Sequence, residues 1–207
     1  MKYDYLIKDI PNINKYCLEY IFEDLKLKRK ENTLWLEFGV ASGRTINYFS
    51  KFTTEIVYGF DSFEGLPDKW RDGFERGSFS NYGKTPDVNY NVKLIKGLFE
   101  ETLNPFLCSV KEKVSFLHID SDLYSSAKYI LNALTKTGRL EKNCIIVFDE
   151  LVNFPNFDGD SSELRSLHEW TTENPNIKWE WIGMNGTVGM ENPEYHNEQC
   201  CLRITDN

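Results

Sequence analysis

Paired cysteines, metal-ligand spacings and long apolar runs are what this chain does without. Its five cysteines (Cys17, Cys108, Cys144, Cys200 and Cys201) are odd in number, and none stands in zinc spacing. Three of them lie in or beside apolar strand-like runs, so reduced thiols in a cytoplasmic protein are expected. No apolar run approaches the roughly 18 residues of a membrane span. The first residues, MKYDYLIKDIPNINKY, lack the apolar centre of a signal peptide. Positive charge is scarce as well: 24 Lys and Arg against 32 Asp and Glu, a net charge of −8. That disfavours binding to phosphate backbones, where Lys and Arg must displace counterions. The one basic run, Lys26 to Lys30, falls at a predicted helix end and suits the helix dipole and solvent. Neither a nucleic acid nor a membrane is an expected partner.

What the chain does have is one organising stretch, Trp35 to Thr45, reading WLEFGVASGRT. The apolar run Leu34, Trp35, Leu36 and Phe38 predicts a buried strand. The small-residue turn Gly39-Val40-Ala41-Ser42-Gly43 follows, then a helical pattern from about Ser42. Strand, small-residue turn and helix make the first turn of a nucleotide-binding α/β unit. Small residues suit it because a ligand must approach the backbone closely, and the helix start offers unpaired N–H groups. The dinucleotide fingerprint is incomplete, since no further glycine lies in Arg44 to Asn47. Glu37, two residues before the first glycine, would repel a pyrophosphate but suits a cationic amine such as that of S-adenosylmethionine. A second apolar strand, Ile56 to Phe60, ends at Asp61. That is near the roughly 20-residue offset expected of an acid that bonds ribose hydroxyls.

The 207 residues suit a single domain. An amphipathic helix is predicted from Ile13 to Leu25, within a helical segment spanning 1–32. After Asp61 comes an aromatic-rich excursion without regular pattern, 62–90, expected to be lid-like. Further strands are predicted at Asn91–Ile95, Val114–Ile119 and Cys144–Phe148. Helices are predicted at Leu98–Pro105, stopped or bent by Pro105, then at Tyr124–Leu134 and at Ser162–Thr172 with Ser161 or Ser162 as cap. The fluid stretch with Phe154, Phe157 and Gly159 precedes the last of these. The tail carries two strand-like runs, Ile177–Gly183 and Gln199–Thr205, without a helical crossover between them, so they should pair antiparallel. The fold class expected is α/β: a Rossmann-like doubly wound sheet, mostly parallel, with an antiparallel C-terminal hairpin.

With LEFGVASGRT at 36–45, GFDSFEGLPDKW at 59–70, LHIDSDLYSSA at 117–127 and IIVFDE at 145–150 in hand, the chain resembles class I S-adenosylmethionine-dependent methyltransferases. Within these it is similar to the macrocin-type sugar O-methyltransferases. The resemblance implies that Glu37, Gly39, Ser42, Gly43 and Thr45 hold the methionine part of the cofactor. It implies that Asp61 bonds the ribose with Ser62 and Phe63 beside it, and that Leu98 and Phe99 flank adenine. It places Asp120, Asp149 and Glu150 on the positions of a divalent metal, and the acceptor is then a sugar or glycosylated small molecule. Asp-Ser-Asp and Asp-Glu stand where the family tends to show Asp-Gly-Asp and Asp-Asp. Leu123 occupies the place of a lysine base found in catechol enzymes. A homo-oligomer is compatible with all of this.

The residues themselves also argue for a metal. Asp120, Asp149 and Glu150 fall just past the ends of predicted parallel strands, the edge at which open α/β sheets bind ligands. Three carboxylates without a basic neighbour in sequence would repel one another, and magnesium suits an all-oxygen set. Asp120 could accept the acceptor's proton. His118 is expected to face away from Asp120 and ranks below it, while His168 and His196 are expected at the surface. Two rival readings use the same residues: an NAD-linked oxidoreductase and a non-catalytic S-adenosylmethionine-binding protein. The oxidoreductase reading gains a near-match in Tyr124-Ser-Ser-Ala-Lys128, although that pair opens a helix directly after an acidic turn.

Overall fold

A computed structural model describes residues 2–152, 160, 162–185 and 198–206. The stretch containing Phe154, Phe157 and Gly159, and also His196, lies outside the described residues. A seven-stranded sheet runs in the order β3-β2-β1-β4-β5-β7-β6. Its strands are β1 Thr33–Phe38, β2 Val57–Asp61, β3 Val92–Lys96, β4 Lys113–Ile119, β5 Leu140–Phe148, β6 Lys178–Met184 and β7 Cys200–Asp206, and two short helices, α1 Asp4–Ile7 and α2 Cys17–Glu19, precede β1. The first five are mutually parallel. β7 pairs antiparallel with both β5 and β6, so the tail folds back as expected. The chain moves outward from β1 through β2 to β3, then returns to place β4 on the other side of β1. The reversal between β1 and β4 is the crevice where such sheets bind ligands.

Period-two alternation divides the strands between two faces. Leu34, Leu36, Phe38, Leu117, Ile119, Ile146, Phe148, Leu202 and Ile204 enter one core. That core packs beneath α4 Phe99–Ser109, α5 Tyr124–Lys136 and α6 Glu163–Glu173. Trp35, Val57, Phe116, Ile145, Val147 and Cys201 enter the other. Against them lie Phe22 and Phe49, carried by the N-terminal helical segment and by α3 Arg44–Phe49. Phe22, Trp35, Phe49 and Phe116 meet with ring centroids 5.1–6.5 Å apart.

Two helices depart clearly from the sequence reading. The helix expected over Ile13–Leu25 spans only Cys17–Glu19, continuing as a π-helical turn at Tyr20–Asp24. Its first residues instead join the edge of the sheet: the Ile13 N–H donates to the Met184 carbonyl and the Met184 N–H to the Pro11 carbonyl. An edge strand offers unpaired backbone groups, and pairing with them satisfies this segment better than another helical turn. The second difference is α4, which runs through Pro105 to Ser109. A mid-helix proline costs about 3 kcal/mol. Burying Phe106 and Leu107 beyond it returns roughly 1.5–3 kcal/mol each, so the helix continues.

Tyr124 and Lys128 stitch α5 to α6. The Tyr124 hydroxyl donates to Glu169 Oε2 at 2.6 Å, Lys128 pairs with the same carboxylate, and Arg165 donates to Glu169 Oε1 at 2.9 Å. Hydrogen bonds from Lys128 and Tyr124 hold the Glu169 carboxyl down at about 2. Its stabilisation is present above the unfolded value of about 4.3 and is lost as pH falls through the folded one. Glu169→Gln should therefore cost about 1–2 kcal/mol near neutral pH. The difference from wild type should close as pH drops from about 4.3 toward 2. Urea unfolding at several pH values checks this, and a pH-independent difference would contradict it.

Candidate active site

The turn after β1 is built by close contact between strand ends. Gly39, Ala41 and Gly43 have φ of +92°, +44° and +80°. A Cβ at Gly39 would fall on the Asp120 carbonyl oxygen and 2.8 Å from its carbonyl carbon. The Asp120 N–H donates to the Phe38 carbonyl and the Gly39 N–H to the Phe60 carbonyl, which draws β1, β2 and β4 together at this point. Glycine is needed at 39 because another strand passes there, a tighter constraint than the ligand approach inferred from sequence. The helix begins at Arg44, two residues later than expected. Asp61 organises the same turn. Its Oδ2 accepts the N–H groups of Val40 and Ala41, both at 2.8 Å, and its Oδ1 accepts that of Phe63 at 2.6 Å.

A cavity of about 270 Å³ opens at this edge. Eight of the residues singled out from the sequence line it: Gly39, Asp61, Ser62, Leu98, Phe99, Asp120, Asp149 and Glu150. The excursion contributes Gly65, Leu66, Pro67 and Phe79. Five others sit elsewhere. Glu37 is fully buried beneath the turn, Phe63 is buried in the second core, and Ser42, Gly43 and Thr45 do not line the cavity. The long excursion is anchored at its base, where Leu66 and Trp70 pack with Leu123, while Phe79 and Tyr82 are exposed. Neither Tyr124 nor Lys128 lines the cavity, and the oxidoreductase pair is thereby accounted for as a helix–helix tie. His168 bonds the Tyr5 hydroxyl at 2.5 Å, well away in sequence from every lining residue.

Beneath the cavity runs a buried polar row. Glu37 and His118 are partners in the register of β1 and β4, and their side chains point to the face of Trp35 and Phe116. His118 Nδ1 lies 2.8 Å from Glu37 Oε1, and its Nε2 lies 3.4 Å from Asp149 Oδ1. Gln199 Nε2 donates to the same Asp149 oxygen at 2.5 Å, while Gln199 Oε1 accepts the Cys17 N–H at 3.0 Å. The expectation that His118 faces away from Asp120 is corrected here: positions i and i+2 of a strand share a face. Ligand atoms of His118, Asp120 and Asp149 all lie within 4.8 Å of one another.

Charge in this row is strongly redistributed. Burial alone would lower the His118 pKa, but hydrogen bonds to Asp149 and Glu37 hold it well above the ordinary histidine value. Burial opposes the charge of Asp149 too, yet hydrogen bonds from His118, Glu150 and Gln199 keep its carboxyl below the usual range. The neighbouring acids go the other way. Burial, reinforced by the Asp149 charge, pushes Asp120 and Glu150 well up and Asp122 up to about 7. Burial likewise raises Glu37, and Glu37 Oε2 and Glu150 Oε2 make no hydrogen bond among the described residues.

Sequence reasoning missed Asp122, Ser121, Ser126, Arg44 and Gln199. Asp122 lines the cavity with φ +59°, and its signal was the second acid of Asp120-Ser121-Asp122. Gln199 carried no local signal, because its position beside Asp149 follows only from the pairing of Phe148 with Cys200.

The comparisons agree with this architecture. Residues 36–151 match the family described as "Methyltransferase domain". Solved structures with the same fold include CalS11, a calicheamicin methyltransferase, at 20% identity, TM-score 0.55, with 83% of this chain and 72% of that chain covered. An O-methyltransferase from Bacillus cereus in complex with SAH has 15% identity and TM-score 0.56, covering 90% and 78%. The O-methyltransferase NovP has 17% identity and TM-score 0.54, covering 90% and 76%. No curated protein sequence matches the chain. The chain belongs to the methyltransferase-domain family: it is an S-adenosylmethionine-dependent methyltransferase of class I. No helix among the described residues is long and apolar enough to cross a membrane.

Proposed function

We propose that this enzyme methylates a hydroxyl of a sugar or glycosylated small molecule, with a divalent cation, magnesium, held by Asp120, Asp149 and Glu150. The observation that carries this reading is the convergence of acids from the ends of β4 and β5 in one cavity with the glycine turn and Asp61. The fit to a cation rests on chemistry present in the chain. The donors are all carboxylate oxygens, Glu150 Oε2 is buried without a hydrogen bond among the described residues, and burial, reinforced by the Asp149 charge, pushes Asp120, Asp122 and Glu150 up, a penalty that a cation would relieve. When bound, the metal would supply a Lewis acid that lowers the pKa of an acceptor hydroxyl.

The chain's own residues would do the rest. Asp120 would accept the hydroxyl proton, and Glu37 Oε2, which has no hydrogen bond among the described residues, would face the cofactor's ammonium group. Asp61 would present its remaining lone pairs to the ribose while keeping the turn in shape. Leu98 and Phe99 would give adenine apolar walls, with Phe99 held edge-on to Phe38 at 5.3 Å. Gly39, Ser42, Gly43 and Thr45 would form and brace the methionine end. In-line transfer from the sulfonium then depends mainly on positioning. The test is incubation with methyl-labelled S-adenosylmethionine and a panel of sugar nucleotides and glycosides, with magnesium or with chelator, read by mass spectrometry. A methylated hydroxyl formed only with magnesium supports the reading, and no labelled product from any hydroxyl acceptor overturns it.

Two further outcomes follow. Asp61→Ala removes two or more charged hydrogen bonds at about 1.5 kcal/mol or more each, so titration calorimetry should show S-adenosylmethionine bound at least about 100-fold more weakly. Unchanged affinity would count against the ribose role. The excursion 62–90 should close on ligand through its exposed half. Hydrogen exchange should slow over residues 77–82 when S-adenosylhomocysteine is added, with little change at the buried Phe63, Leu66 and Trp70. Equal exchange in both states would exclude closure.

A further inference from the structure

His118 makes no use of its ring toward the cavity; both nitrogens are spent on carboxylates that belong to opposite ends of the site. Glu37 lies below the glycine turn on β1, where burial raises its carboxyl pKa and the His118 hydrogen bond opposes that rise. Asp149 directly follows β5, and its Oδ1 is taken up by His118 and Gln199. The ring lies fully buried between them, packed edge-on to Phe49 at 6.4 Å. A ring clamped in this way cannot tilt toward one carboxylate without leaving the other. The row crosses four neighbouring strands of the sheet, from β1 through β4 and β5 to the residue that precedes β7.

We propose that His118 is a positioning residue that couples the cofactor end of the site to the acceptor end, fixing Glu37 through Nδ1 and Asp149 through Nε2. The inference rests on the reading above, that Glu37 serves the cofactor and Asp149 a divalent cation. A ligand that orders one carboxylate fixes the ring, and the fixed ring orders the other carboxylate. Each ligand then binds more tightly once the other is present, by the same factor in both directions, as linkage requires. His118 acts through its neighbours and touches neither ligand.

Replacement can cut the row at either end. In His118→Asn the amide falls near the position of Nδ1, keeping the bond to Glu37 and losing that to Asp149. In His118→Gln it falls near Nε2, keeping Asp149 and losing Glu37. The experiment is titration calorimetry of S-adenosylhomocysteine with magnesium and with chelator, and of magnesium with and without S-adenosylhomocysteine. Wild type should show a coupling of about 5-fold or more. His118→Asn should bind S-adenosylhomocysteine in chelator as wild type does, and His118→Gln should bind magnesium alone as wild type does. In both variants the coupling factor should fall to about one. A merely structural role would weaken both ligands in both variants, and that result, or a coupling factor unchanged from wild type, overturns the proposal. Wild-type protein that binds neither ligand overturns the underlying reading and the proposal with it; binding of both without coupling overturns the proposal alone. Should the variants not fold, 15N resonances of the His118 ring in the wild type give the answer. They should shift on adding either ligand by itself, and a ring that responds to one ligand only, or to neither, overturns the coupling.

Discussion

Asp149→Asn should abolish methyl transfer while leaving cofactor binding largely intact. The carboxylate directly follows β5 on the acceptor side of the cavity, whereas the glycine turn, Asp61, Leu98 and Phe99 belong to β1, β2 and the connection after β3. The substitution is nearly isosteric, so Gln199 and His118 keep a polar partner at the position of Oδ1. What disappears is the one acid of the cluster held below the usual carboxylate range, and with it the negative charge that would attract a cation. Loss of a group required for transition-state stabilisation costs on the order of 3–4 kcal/mol, or 100- to 1000-fold in kcat. S-adenosylhomocysteine measured in chelator should bind with wild-type affinity. Chelator added to wild type should reproduce the loss, and magnesium should restore activity to wild type but not to the variant. Turnover in Asp149→Asn within a few-fold of wild type would remove this residue from the reaction.

The second large effect is expected at Gly39. Gly39→Ala places a methyl group on the Asp120 carbonyl, at a backbone φ of +92°. The left-handed conformation alone costs an alanine about 1–2 kcal/mol. The overlap adds more, since it is with backbone and no rotamer can relieve it. The end of β4 would have to move away from β1, breaking the Asp120 N–H bond to Phe38 and displacing the acids of the cluster. A loss of about 4 kcal/mol or more is expected, against a typical total of about 5–15 kcal/mol. Thermal and urea unfolding of the purified variant measure it. A stability within about 1 kcal/mol of wild type would mean that the two strand ends part easily. At Gly73, where an added Cβ meets nothing within 4 Å, alanine has only the positive φ of +88° to contend with. The same change there should cost about 1–2 kcal/mol, which makes it a control for backbone conformation without overlap.

The order of elements was legible because apolar runs and small-residue turns are local signals. Strands centred on Trp35, Tyr58, Leu94, Phe116 and Ile146 each came from a short, mainly apolar run, and Cys144–Phe148 is apolar throughout, which is how a strand buried on both faces reads. The antiparallel tail was legible from a missing crossover helix. Less legible were the ends of helices. Pro105 breaks a local rule that Phe106 and Leu107 override by burial, and the segment before Cys17 left the helical pattern to pair with β6. Neither outcome is written within a few residues of where it occurs.

The sequence by itself determined the acids and the edge on which they lie. Asp61, Asp120, Asp149 and Glu150 each follow an apolar strand, and strands of one parallel sheet end on the same side. It also held, unread, the alternation that puts His118 on the face of Asp120. Only the tertiary structure decided which acids are satisfied and which are not. The charge of Asp149 is kept by His118 and, further, by Gln199, the residue before a strand that enters the sheet antiparallel, and Glu37 is turned beneath the cavity toward a histidine 81 positions away. Gly39 is small because Asp120 passes it. The physical reason is common to all three: strand register juxtaposes residues that share no local pattern, and burial there sets which charges must be paired.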